Sequence, residues 1–208
     1  MSQEACAHLC LCDPDLGRMI HRIGAFTTRI IPDLFTALVH SIIGQQISGK
    51  AQLSIWQRFE TACQNVITPH HLVSIESDTL RKCGLSQRKV SYIKEAARRI
   101  ETNELDLSLL TAMDDAVFVK ELCALPGVGP WTAEMLLIFS LQRPDVLSYG
   151  DLGIQRGIRM LYRKKALSKA FYTTLKKRFS PYATTASLYL WKIAGGKWDD
   201  LDDPAKPF

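Results

Sequence analysis

Long apolar runs are missing from this 208-residue chain, as is any low-complexity tract or fixed-period repeat. No uninterrupted apolar stretch approaches the roughly 18 residues that a bilayer-spanning helix needs. The first residues, MSQEACAHLCLCDPD, lack the basic patch and long apolar stretch of a secretory leader. The expectation is therefore a chain with no membrane partner, cytoplasmic in a bacterium or nuclear in a eukaryote. No cysteine follows Cys123, which excludes a four-cysteine iron–sulfur loop near the C-terminus. The six cysteines, at 6, 10, 12, 63, 83 and 123, are expected as reduced thiols, because four lie in or beside apolar helical patterns. Cys6, His8, Cys10 and Cys12 are spaced like no zinc motif. Acidic residues are absent from 152–198, where 11 Lys or Arg stand alone. The last ten residues, DDLDDPAKPF, carry four Asp and one Lys, and residues 1–151 hold 14 basic against 17 acidic side chains. The net charge is +5, and its uneven distribution reads as a surface for a polyanion or as a solvated basic helical face.

Period-two alternation is also scarce, whereas helical periodicity is everywhere. In FTALVHSIIGQQ, Phe35, Leu38, Val39, Ile42 and Ile43 share a face, with Pro32-Asp33 as the start. Helices are expected at Ser48–Cys63, after Thr68-Pro69, at Asp78–Cys83 with Gly84 as the stop, and after Ser86 through QRKVSYIKEAARRI. Asp114–Ala124, Trp131–Leu141, Asp151–Tyr162, Ser168–Phe179 and Tyr182–Ala194 complete an all-α chain of about ten helices.

The stretch LPGVGPWTAEMLL (125–137) joins two of these helices by a tight turn. Gly127 and Gly129 are expected to adopt backbone angles closed to a Cβ and to let another backbone approach closely. Pro130 suits the first helical turn, where an N–H is not needed. The positive end of the following helix would suit a phosphate oxygen. An ordinary αα-corner is the plainer alternative.

L-P-G-V-G-x-W-T-A resembles the hairpin of the helix-hairpin-helix DNA glycosylase superfamily, in which a Gly/Pro-rich loop and an essential Asp follow. Pro144, Asp145-Val146 and Tyr149-Gly150-Asp151 stand in that order here. FTALVHSIIGQQISGKAQ resembles the segment these enzymes push into DNA from the minor groove, and LRKCGLSQRKVSYIKEAA their G-L-S-x-x-K-x-x-Y-I helix. SPYATTASLYLWKI resembles the helix that closes the pocket. The similarity runs from about residue 14 to 194, and is strongest to the 3-methyladenine DNA glycosylase II branch in its compact form, without an N-terminal β domain.

The resemblance implies a single domain, 1–208, of two closely packed helical subdomains, about 33–142 and 1–32 plus 143–208, with the active site in the cleft between them. It implies a monomeric DNA repair enzyme that flips alkylated purines out of double-stranded DNA and hydrolyses their N-glycosidic bond without cutting the strand. Asp151 matches the catalytic Asp, whose carboxylate stabilises positive charge on the sugar and assists water. A helix N-cap is the plainer reading of the same residue, and the two are compatible. Trp131 stands where strand-cutting members carry a Schiff-base lysine, and its ring suits an electron-poor alkylated purine. Tyr149, Tyr182 and Met135 would complete the base pocket, and Trp191 reads as core. Met135 and Leu152 stand where some members carry Tyr, and Tyr182 where some carry Trp, which narrows the aromatic lining. Gln46 matches the gap-filling position, flanked by Gln45, Ile47 and Ser48. Gly127, Gly129, Lys50, Arg156 and Arg159 would meet phosphates, with Lys89, Arg163, Lys164 and Lys165 as further possibilities. No cofactor is required, although carbonyls of Cys123, Leu125 and Val128 match those that hold a Na or K ion. A mismatch or oxidised-base glycosylase, or a non-catalytic protein that binds lesions or bent DNA, stays open beside this reading.

Overall fold

The computed structural model describes residues 2–205, which form thirteen α-helices and no strand. The chain separates into two compact units: Ile30–Leu141, and the chain up to Arg29 together with the chain from Gln142 onward. Among the described residues no helix is long and apolar enough to cross a membrane.

The central unit holds α3 (Leu34–Gly44), α4 (Gly49–Ala62), α5 (Pro69–Ser74), α6 (Ser77–Lys82), α7 (Gln87–Glu101), α8 (Leu107–Ala112), α9 (Asp115–Leu122) and α10 (Pro130–Phe139). Capping side chains set most starts. Asp33 accepts from Thr36 N at 2.7 Å, Thr68 from His71 N at 3.2 Å and Ser86 from Lys89 N at 3.3 Å. Helix α3 buries Leu34, Phe35, Ala37, Leu38, Val39, Ile42 and Ile43, nearly its whole circumference. It lies against α4, α7 and α10, as a helix apolar all round must.

The other unit holds α1 (Gln3–Cys12), α2 (Pro14–Ile23), α11 (Leu152–Tyr162), α12 (Lys169–Phe179) and α13 (Ala183–Gly195). Its core joins Leu9, Leu16, Ile154, Ile158, Leu175, Phe179, Tyr189 and Leu190. Helices α11 and α13 run very close, because a Cβ on Gly157 would overlap the Leu190 carbonyl.

Three helices exceed the ten expected. Helix α1 buries only Ala5 and Leu9, so its apolar stripe is faint against four scattered Cys and His. Helix α2 does carry a start signal: Asp13 accepts from Leu16 N at 2.9 Å and Pro14 opens the first turn. Helix α8 spans six residues, too few for periodicity to show.

Candidate active site

The hairpin between α9 and α10 is fixed by one glycine rather than two. Gly127 has φ +76°, and a Cβ there would overlap the Tyr92 ring on α7. Gly129 has φ −105° and ψ 174°, ordinary extended backbone, and a Cβ there would meet nothing within 4 Å. The expectation that both glycines need forbidden angles is corrected accordingly. Gly129 is the N-cap of α10 and brings no capping side chain, and Pro130 follows it. Trp131, next along, is 41% exposed. Met135, one turn further, is buried. Leu125 and Val128 are buried in the turn, where Val128 N donates to the Leu125 carbonyl at 3.2 Å. Cys123 is the C-cap of α9.

The loop after α3 is tied to this hairpin. Gln45 Nε2 donates to the Gly127 carbonyl at 2.8 Å and to Thr132 Oγ1 at 3.3 Å. Lys89 Nζ donates to the carbonyls of Ile43 and Gln45, both at 2.8 Å, and so closes the end of α3. Burial pulls the Lys89 ammonium below its ordinary range. Lys89 is therefore an internal brace, not a surface cation open to a phosphate. Its partners are backbone atoms more than forty residues away, so nothing in the G-L-S-x-x-K spacing reveals them. Gln46 is exposed with φ +57°, Ile47 is exposed beside it, and Ser48 caps α4 by accepting from Ala51 N at 3.3 Å. Lys50 is exposed in the first turn of α4. Gln46, not Gln45, is thus the side chain this loop turns outward.

In the other unit, Asp151 is 7% exposed and is the N-cap of α11. Its Oδ1 accepts from Ile154 N at 2.7 Å and from the Trp191 indole N–H at 2.8 Å. Trp191 packs its half-buried ring against the core as expected, and beyond that expectation its indole N–H is directed to Asp151. Asp145 organises the preceding loop, accepting from Ser180 Oγ at 2.7 Å and Ala183 N at 3.1 Å. Tyr149 is 38% exposed, lies edge-on to Tyr172, and accepts at its carbonyl from Gln155 Nε2 at 2.5 Å. Tyr182 begins α13, where its hydroxyl donates to Glu4 Oε1 at 2.7 Å and its ring meets His8 edge-on. That bond to a carboxylate raises the Tyr182 phenol above its ordinary range.

The basic run is partly neutralised from within. Arg159 donates Nε and Nη2 to the two oxygens of Asp203, at 3.2 and 3.1 Å, and Arg156 Nε lies 3.6 Å from the same carboxylate. Arg22 reaches Asp200 at 2.5 Å and covers the Trp198 ring, and Arg178 reaches the buried Asp13 at 2.7 Å. Hydrogen bonding to Arg159 holds Asp203 below the ordinary carboxylate range. Arg156 and Arg159 are already paired with the acidic C-terminal segment, which the adjacent charge blocks in the sequence do not disclose. Arg163, Lys164, Lys165, Lys169, Lys176 and Lys177 remain exposed.

Cys6 Sγ lies 3.6 Å from the Tyr189 hydroxyl and Cys10 Sγ 3.8 Å from His21 Nε2, on the wall of a recess of about 460 Å³. Cys12 Sγ turns instead to the Leu9 carbonyl. Among the described residues no three His, Cys, Asp or Glu are arranged to hold a metal ion.

The chain is similar to a crystal structure of DNA-3-methyladenine glycosidase from Bacillus halodurans, with 37% identity and a TM-score of 0.82 over 93% of this chain and 90% of that one. It is similar to Schizosaccharomyces pombe 3-methyladenine DNA glycosylase in complex with abasic DNA, with 29% identity and a TM-score of 0.82 over 91% and 96%. The S. pombe protein named DNA-3-methyladenine glycosylase 1 is 29% identical over 96% of this chain and 90% of its own length. The model of the HhH-GPD superfamily of base excision DNA repair proteins matches residues 39–181, and the chain belongs to that family.

Proposed function

We propose that the protein is a monofunctional DNA glycosylase, of the 3-methyladenine DNA glycosylase II type, that removes alkylated purines from double-stranded DNA as a monomer. The observation that carries this is Asp151, a buried carboxylate with a fixed orientation at the start of the helix that follows the hairpin and its loop. Cleaving the N-glycosidic bond builds positive charge on the sugar, and a fixed carboxylate in a water-poor site stabilises that charge far better than one in solvent. Asp151 in this role also orients the attacking water. The similarity to two 3-methyladenine enzymes over nine-tenths of the chain supports N3-methyladenine as the principal substrate.

The remaining roles follow from residue chemistry. Trp131 presents an exposed indole that suits stacking on a cationic purine. It has no amine for a Schiff base, which is why the reading is monofunctional. Tyr149 and Tyr182 offer aromatic surface in their own unit, and Met135 lies buried one turn after Trp131 in the other. Gln46 fills the gap left by the flipped nucleotide and hydrogen-bonds the orphaned base. Phosphate is held by the N–H groups at the start of α10, with Gly129 supplying clearance, and by Ser48 and Lys50. The carbonyls of Cys123, Leu125 and Val128 are uncharged oxygen donors suited to Na or K, and Leu125 retains a second lone pair beyond its bond to Val128. A bound cation would offset carbonyl repulsion beside the phosphate. Arg156 and Arg159 join the contact when Asp203 releases them.

Incubation with randomly methylated duplex DNA, with separation of released bases and a strand-cleavage gel, tests the proposal. Release of 3-methyladenine with strands intact until alkali is expected. Strand breaks without alkali would contradict the monofunctional assignment, and absence of any released base would overturn the enzyme reading.

A further inference from the structure

Besides α11, eight helices among the described residues open on a side chain that accepts the backbone N–H three positions on: Ser2, Asp13, Asp33, Ser48, Thr68, Ser86, Asp106 and Ser168. Of these, Asp13 takes further donors, Tyr162 and Arg178, but on its other oxygen, and Asp106 takes its further donors from Ser108 in its own first turn. One such bond is all a cap requires. Asp151 makes that bond to Ile154, and its Oδ1 takes a second donor from Trp191, forty residues later on α13. Two glycines keep this second contact in place. A Cβ on Gly157 would push α13 away at the Leu190 carbonyl, and one on Gly153 would lie 2.7 Å from Trp191 Cδ1 and 3.1 Å from Asp151 Oδ1. An indole N–H only donates, so it selects an acceptor oxygen at that point. Two donors converging on one oxygen fix the plane of the carboxylate as well as its position.

We infer that Trp191 is a positioning residue for base release: its indole N–H, together with the α11 backbone, holds Asp151 in a single orientation. The inference rests on the proposed role of Asp151. Packing alone would need the ring but not its N–H. That distinction is accessible experimentally.

The test replaces Trp191 with 3-benzothienylalanine, which keeps the bicyclic shape and exchanges the N–H for sulfur, in wild-type and Asp151→Asn backgrounds; Trp191→Phe is a second probe. Single-turnover base release from methylated duplex and affinity for duplex containing a tetrahydrofuran abasic analogue are measured on each. The isostere is expected to lower the release rate about 10- to 100-fold, the weight of one hydrogen bond to a charged group. Affinity should stay within about twofold, because that bond does not bind DNA. In the Asp151→Asn background the isostere should add little further loss, since both changes act through one carboxylate. A wild-type release rate in the isostere, or an equal fractional loss in both backgrounds, overturns the inference. A wild-type rate in Asp151→Asn alone overturns the role of Asp151 instead, and the inference with it.

Discussion

Helices α10 and α11 begin in opposite ways. Helix α10 opens on Gly129 and Pro130, with no capping side chain and an exposed Trp131 in its first turn. Helix α11 opens on Asp151, whose carboxylate is held by its own helix and by Trp191. The N-terminal end of any helix offers spare N–H donors and a partial positive charge. Left without a side-chain acceptor, that end suits an anion from outside, such as a DNA phosphate. Supplied with one, it holds a carboxylate rigidly and near neutral cost, which is what charge stabilisation at a reacting sugar demands. In the proposed function the same local physics would serve binding in one unit and chemistry in the other, and the N-cap residue is where the two starts differ.

Breaking the second half of this comparison has the largest expected effect. Asp151→Asn preserves the cap, because Asn and Asp are equivalent there, so stability should change by only a few tenths of a kcal/mol. The rate of base release should fall about 10²- to 10⁴-fold, as read by single-turnover kinetics. Next, Lys89→Met strips the carbonyls of Ile43 and Gln45 of their donor. Unfolding in urea should show a loss of about 1–3 kcal/mol, with weaker DNA affinity as the loop carrying Gln46 loosens. Gly129→Asp gives α10 the cap that α11 has, in open space for the new side chain. Affinity for abasic-site duplex should fall about tenfold while stability holds or rises slightly. The smallest effect belongs to the acidic segment. Asp203→Asn frees Arg156 and Arg159, and the slope of log affinity against log salt should steepen by about one or two. Because Asp203 is held below the ordinary carboxylate range, its stabilising contribution is present above that range and is lost as pH falls through the lowered value. The melting temperatures of wild type and Asp203→Asn should therefore differ at pH 7 and converge in acid below about pH 4.

What was legible in the sequence was what is local. Asp33, Thr68, Ser86, Asp151 and Ser168 each sit at a helix start that the adjacent periodicity announces, and the structure uses each as a cap. Gly127 was legible because tight turns demand positive φ, whereas Gly129 shares the motif without sharing the need. The unreadable contacts are tertiary. Trp191 lies in an apolar stripe that reads as core, and only the close approach of α11 and α13 brings its N–H to Asp151. Lys89 looks like any helical cation until α3 ends beside it. The acidic C-terminal segment stands beside the basic run in the sequence, but its return onto Arg22, Arg156 and Arg159 depends on where the chain travels.

The most direct test compares Asp151→Asn and Gly129→Asp in one experiment, with affinity for abasic-site duplex and single-turnover release from methylated duplex measured on the same preparations. A crossed pattern is predicted. Asp151→Asn should bind like wild type and release base slowly; Gly129→Asp should bind weakly yet release base at close to the wild-type rate once enzyme is saturating. Parallel losses of binding and rate in both variants, or wild-type release by Asp151→Asn, would contradict the division of labour between the two helix starts.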